Sequence, residues 1–161
     1  MPLHRYFQLD VFSRHPGGGN PLGVVVAADD WSEAAMQAFA KWTDIVETTF
    51  LLRPSTPAAS YRLRIFTPSR EIAFAGHPSI GSAHVALLSG FASANDGLLV
   101  QECDAGLLPI RVEDDPGQRR LFIQAPRAKV LKIGVEPGSL LATTLKKVRL
   151  GALAPAFVEG G

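Results

Sequence analysis

Apolar and polar positions along this chain switch repeatedly between the two-residue period of a strand and the longer period of a helix. Residues 6–12 alternate loosely and are rich in aromatic and branched side chains, which predicts a strand. Pro and Gly are too dense over residues 15–21 for regular structure, so a loop is expected there, followed by a strand over 22–27. Ser32 reads as a helix N-cap, with Asp29, Asp30 and Glu33 near the positive end. Met36, Phe39, Ala40 and Thr43 then fall on one helical face, and the helix is expected to end near Thr43. Strands follow over 48–53 and 61–67, joined by a loop at 54–60. In the second, Tyr61, Leu63, Ile65 and Thr67 share one face, with Arg62 and Arg64 on the other. This predicts a half-buried strand with a solvated basic side.

A short apolar strand over 72–75 runs through Gly76 into a helix that opens with His77 and Pro78 and stops at Gly90. That helix is apolar almost all round, as a buried central helix would be. Strands over 98–103, 107–113 and 120–124 complete the pattern. One buried helix among many strands predicts an α+β fold rather than a doubly wound sheet. Beyond Pro126 the pattern weakens. Residues 137–148 suit an amphipathic helix capped by Ser139, and residues 152–161 read as a short linker or tail. A lobe over 1–126 and a helix with linker over 127–161 are therefore expected.

The junction at Gly76 carries the candidate chemistry. Glycine permits a tight turn and the close approach of a ligand. The helix start leaves backbone N–H groups unpaired, which favours an anion such as a carboxylate, and His77 sits at that mouth. The best acid or base to accompany it is Glu47, between the apolar pair Ile45 and Val46 and the strand beginning at Thr48. Partial desolvation there would suit it to proton transfer. Two plainer readings stand beside these: Glu47 as a loop glutamate facing water, and His77 as a side chain that merely caps or packs.

Four blocks occur in order: Gly19-Asn20-Pro21-Leu22-Gly23-Val24, Glu47-Thr48-Thr49-Phe50, Ile65-Phe66-Thr67-Pro68, and the run from Phe74 through Gly76, His77, Pro78 and Ser79 to Ala83. Together they resemble the phenazine biosynthesis PhzF-like family over about residues 4–126. The resemblance implies one lobe of a diaminopimelate-epimerase-like fold, a mixed and mostly antiparallel sheet wrapped around a central helix. It also implies isomerase chemistry without a cofactor, with the residue at Glu47 shuttling a proton along a dihydro-hydroxyanthranilate skeleton. His77 would be its companion, with Asn20, Gly76, Pro78 and Ser79 around the substrate, although Asn20 also suits a plain turn. Val46 departs from the pattern, which has a small hydroxylated residue there. Family members are also longer, so a first lobe alone is expected, completed by a second copy (a homodimer) or by a separate partner lobe.

Composition changes little of this. The 161 residues are 47% hydrophobic with a formal net charge of +1, which gives no electrostatic case for nucleic acid or an acidic membrane. Lys146, Lys147 and Arg149 read as a solvated helix face. Gly17, Gly18 and Gly19 lead into Pro21 and a strand, not a helix, which argues against dinucleotide binding. Cys103 cannot pair within the chain and reads as a small buried hydrophobe in a reducing cytoplasm. His4, His15, His77 and His84 are too scattered for a metal site, so none is expected. The N-terminus lacks the layout of a secretory signal, and no apolar run approaches the ~18–20 residues that span a bilayer. The resulting expectation is a cytoplasmic isomerase acting on a small carboxylate. The rival is a non-catalytic lobe that dimerises or binds small anions.

Overall fold

The computed structural model of the protein describes residues 3–115, 118–134, 152 and 156–159. Strand β1 (Arg5–Val11) pairs antiparallel with β2 (Asn20–Val26). β2 starts two residues earlier than its Pro and Gly content suggests, with Asn20 opposite Val11 and Pro21 opposite Asp10. The preceding loop hugs β1, since a Cβ on Gly19 would lie 2.4 Å from the Val11 carbonyl oxygen. Helix α1 (Glu33–Thr43) carries the chain to β3 (Glu47–Leu52), which runs parallel to β2. Ser32 caps α1 as expected, its Oγ accepting from Ala35 N–H at 3.2 Å. Asp44 turns the chain out of the helix in the left-handed region, at φ 53°.

β4 (Tyr61–Phe66) pairs antiparallel with β3, and its other edge is shared. Ile65 and Phe66 pair with β5 (Glu71–Ile72), whereas Tyr61 and Arg62 pair with β6 (Leu98–Cys103). The strand expected over 72–75 is thus only its beginning, because Phe74 turns inward to pack with Cys103 and Leu108. β7 (Gly106–Asp115) and β8 (Gln118–Ile123) complete the sheet as an antiparallel meander. The sheet order is β1-β2-β3-β4-β6-β7-β8, with β5 beside β4.

Helix α2 (Gly76–Leu88) packs against β1, β2, β3, β4, β6 and β8, so the sheet wraps around it. Strand alternation sends Leu22, Val24, Leu51, Leu63 and Ile65 toward α2, where they bury Ala83, Val85 and Ala86. The opposite face of β2, β3 and β4 is dry too, since Val25, Phe50 and Phe66 pack under Met36 and Ala40 of α1. This corrects the expected solvated basic side of β4. Arg64 is only 17% exposed in its side chain, donating to Glu71 at 2.7 Å and to Glu33 of α1 at 2.8 Å. The hydrogen bond to Glu71 is the main cause holding its guanidinium pKa above the usual range.

A buried polar chain crosses the core: Tyr61 O–H donates to Gln101 Oε1 at 3.1 Å, and Gln101 Nε2 donates to Ser79 Oγ at 3.0 Å. Burial pushes the Tyr61 phenol pKa up from 10.0. A folded-state pKa raised above the unfolded value means the contribution is complete below pH 10. Above that the unfolded chain ionises first, and stability should fall by up to about 1.4 kcal/mol per pH unit. Tyr6 is shifted the same way by partial burial. Urea unfolding between pH 8 and 11 should show this decline, and Tyr61→Phe should remove most of it.

Residues 1–125 form one compact unit and residues 126–161 a second. In the second, β9 (Lys129–Ile133) pairs antiparallel with β10 (Ala156–Glu159), with an irregularity between Phe157 and Val158. The tail expected over 152–161 therefore contains a strand, and β9 was not anticipated. The helix expected over 137–148, its cap Ser139 and the basic cluster lie outside the described residues. Among the described residues no helix is long and apolar enough to cross a membrane.

Candidate active site

Glu47 is the first residue of β3 rather than a loop residue, in register with Leu22 of β2. Alternation along the strand puts it on the side of Thr49 and Leu51, facing α2. His77 is the second residue of α2. The two meet with His77 Nε2 3.1 Å from Glu47 Oε2, and their side chains are 12% and 13% exposed. Yet neither atom has an aligned hydrogen bond. Among the described residues the one other such buried side-chain atom is His4 Nε2, beside Asp30 and Trp31. An unsatisfied buried polar atom typically costs about 1–3 kcal/mol, so it asks for a reason. Here two of them adjoin, each with capacity left for a third group.

The start of α2 adds donors. Ala75 is the N-cap and makes no side-chain capping bond. Ser79 N–H already bonds to the Ala75 carbonyl at 3.2 Å, and Pro78 has no N–H. The Gly76 and His77 amides remain, at the positive end of the helix dipole. Their position favours a carboxylate.

The other expected site residues divide. Asn20 opens β2 two residues before Leu22, on the same face of the sheet as Glu47, and is exposed. Gly76 is exposed at the turn itself. Pro78 and Ser79 are buried, and the Ser79 hydroxyl is engaged by Gln101. Each helical residue advances about 100°, which turns these two into the core. Val46, at the departing position, is 56% exposed. Cys103 is buried and shares its cluster with Phe74. His84 is exposed and two turns away, its pKa lowered by desolvation and by Arg119. Among the described residues no three His, Cys, Asp or Glu side chains converge as a metal site. The reading of the sequence missed Thr49 and Ser82, whose hydroxyls meet at 2.8 Å behind the pair.

A Cβ on Gly76 would meet nothing within 4 Å, and its backbone lies outside the left-handed region. The turn itself does not demand glycine, so close approach of a ligand is the remaining reason for one. Gly76→Ala should leave thermal stability unchanged or slightly raised. The same change should weaken binding of a small aromatic carboxylate such as anthranilate by about tenfold, read by titration calorimetry.

The family described as phenazine biosynthesis-like protein matches residues 9–161. The chain is 41% identical over 133 residues to antisense-enhancing sequence 1 of Schizosaccharomyces pombe, covering 82% of this chain and 45% of that protein. It is 40% identical over 116 residues to the trans-2,3-dihydro-3-hydroxyanthranilate isomerase of Pseudomonas aeruginosa, covering 72% of this chain and 40% of the relative. A phenazine biosynthesis protein of the PhzF family from Bacillus anthracis matches in structure with a TM-score of 0.67 at 32% identity, covering 80% of this chain and 43% of that one. The chain thus spans less than half the length of each. It belongs to the phenazine biosynthesis-like (PhzC-PhzF) family.

Proposed function

We propose that this lobe supplies the proton-transfer half of an isomerase site for a small carboxylate substrate. The observation that carries the reading is the buried, unaligned contact between Glu47 Oε2 and His77 Nε2. Glu47 removes a proton from a substrate carbon and returns it to another, acting first as base and then as acid. The Gly76 and His77 amides seat the substrate carboxylate, and the His77 imidazole steadies the carboxyl group or donates in its turn. Such a shift leaves the oxidation state of the substrate unchanged and needs no electron carrier. The site works best when closed to water. In this reading the facing wall comes from a second copy or from a partner lobe. A lone buried thiol suits a reducing cytoplasm as the setting.

Incubation in D₂O with trans-2,3-dihydro-3-hydroxyanthranilate, or with small amino acids, tests this directly. Carbon-bound hydrogen should exchange for deuterium at a rate that rises with protein concentration, followed by NMR. No exchange at any concentration would leave only an anion-binding lobe.

A further inference from the structure

α2 is apolar nearly all round, and most of the side chains that enclose it are apolar too, with Gln101 bonded to Ser79 and Thr49 beside Ser82 as polar members. Hydrophobic contact is non-directional and sets the rotation of such a helix only weakly. Rotation matters here. Turning α2 by about 20° carries an atom about 6 Å from its axis through about 2 Å. That would break the 3.1 Å approach of His77 to Glu47. The close fit at Gly81 stops α2 moving toward β1 and β2, but it does not stop the helix turning away.

We propose that a buried hydroxyl relay from Ser82 through Thr49 to the Gly23 carbonyl positions His77 against Glu47. The inference rests on reading those two as the reacting pair. Ser82 Oγ lies 2.8 Å from Thr49 Oγ1, and Thr49 Oγ1 donates to the Gly23 carbonyl oxygen at 3.2 Å. Thr49 has one hydroxyl proton. With that proton on Gly23, Ser82 must be the donor to Thr49. Both hydroxyl residues have no exposure to solvent. The relay therefore ties α2 to β3, and β3 to β2, by directional bonds. Its members also adjoin the pair: Thr49 follows Glu47 on the same face of β3, and Gly23 follows Leu22, the register partner of Glu47. Packing alone would be served as well by apolar side chains of the same shape, without the cost of burying hydroxyls. Thr49 and Ser82 touch no reacting atom, so they are positioning residues.

Thr49→Val keeps the shape and removes the hydroxyl, Ser82→Ala removes the other end, and Thr49→Ser keeps the bond. NMR of selectively labelled histidine follows His77, whose ion-pair contact among the described residues is Glu47. Thr49→Val and Ser82→Ala should move the His77 resonance, and Thr49→Ser should return it toward wild type. Met36→Ala, in the separate cluster under α1, destabilises the lobe without touching the relay and should leave His77 unmoved. In the exchange assay, loss of either hydroxyl should lower turnover by roughly 10- to 100-fold with little change in apparent KM. Superimposable His77 resonances in wild type, Thr49→Val and Ser82→Ala would overturn the proposal. So would equal effects of Thr49→Ser and Thr49→Val. If Thr49→Val fails to fold, Ser82→Ala, which loses a single oxygen, carries the same comparison. The NMR comparison needs no substrate. A moved His77 in a protein that exchanges nothing would therefore sink the isomerase reading and leave the positioning role standing.

Discussion

Glu47→Gln should lower the exchange of carbon-bound hydrogen by about 10²–10⁴-fold while the lobe stays folded. Glutamine matches glutamate in shape, so the position on β3 beside Leu22 is kept. What it loses is the ability to take up and return a proton. The fold should tolerate the change well, because the carboxylate oxygen near His77 has no aligned partner to forfeit. Glu47→Asp keeps the carboxyl group but draws it back from His77, so an intermediate rate is expected. Deuterium incorporation and thermal melting, measured on the same preparations, separate the chemical effect from a structural one. An exchange rate within twofold of wild type in Glu47→Gln would remove this residue from the chemistry.

Gly81→Val should cost about 3 kcal/mol of stability, at the upper end for overpacked cores. A Cβ at this position would lie 2.5 Å from Leu22 Cδ2 and 2.8 Å from Val11 Cγ2. Leu22 has no exposure and Val11 only 7%, so neither has free space to retreat into. The helix would have to lift away from β1 and β2, taking His77 with it. Gly81→Ala meets the same contacts, but about 1 kcal/mol of improved helix propensity offsets part of the cost. Circular dichroism melting should show a drop of about 10 °C for valine and a smaller one for alanine. A valine variant that melts with wild type would mean that α2 is not seated so deeply.

The central helix could be read from the chain because it rests on local cues, whereas Glu47 stands beside a plainer reading and gains weight from the resemblance of its block to the family. The start of α2 is marked by Gly76 and Pro78, its burial by apolar residues on every side, and Glu47 by its place between a helical stretch and a strand. What escaped depends on which face meets which neighbour. Ser79 follows the mouth in sequence, yet the helical step turns it toward Gln101, twenty-two residues away. Arg64 alternates correctly to the outer side of β4, but nothing local says that Glu33 of α1 will cover that side. The Thr49–Ser82 bond joins residues thirty-three apart and is visible only once β3 is known to face α2. β9 and β10 were missed because their pairing spans a long separation and their segments are short and solvent-exposed.

The divided edge of β4 has a consequence for how this lobe can diversify. The two-residue β5 and its turn, stitched by the Thr67 hydroxyl to Ser69 and Arg70, hang on the end of β4 that leads to the mouth. The long meander grips the other end. Changes confined to β5 and its turn can therefore alter the approach to Gly76 while the sheet that wraps α2 keeps its order.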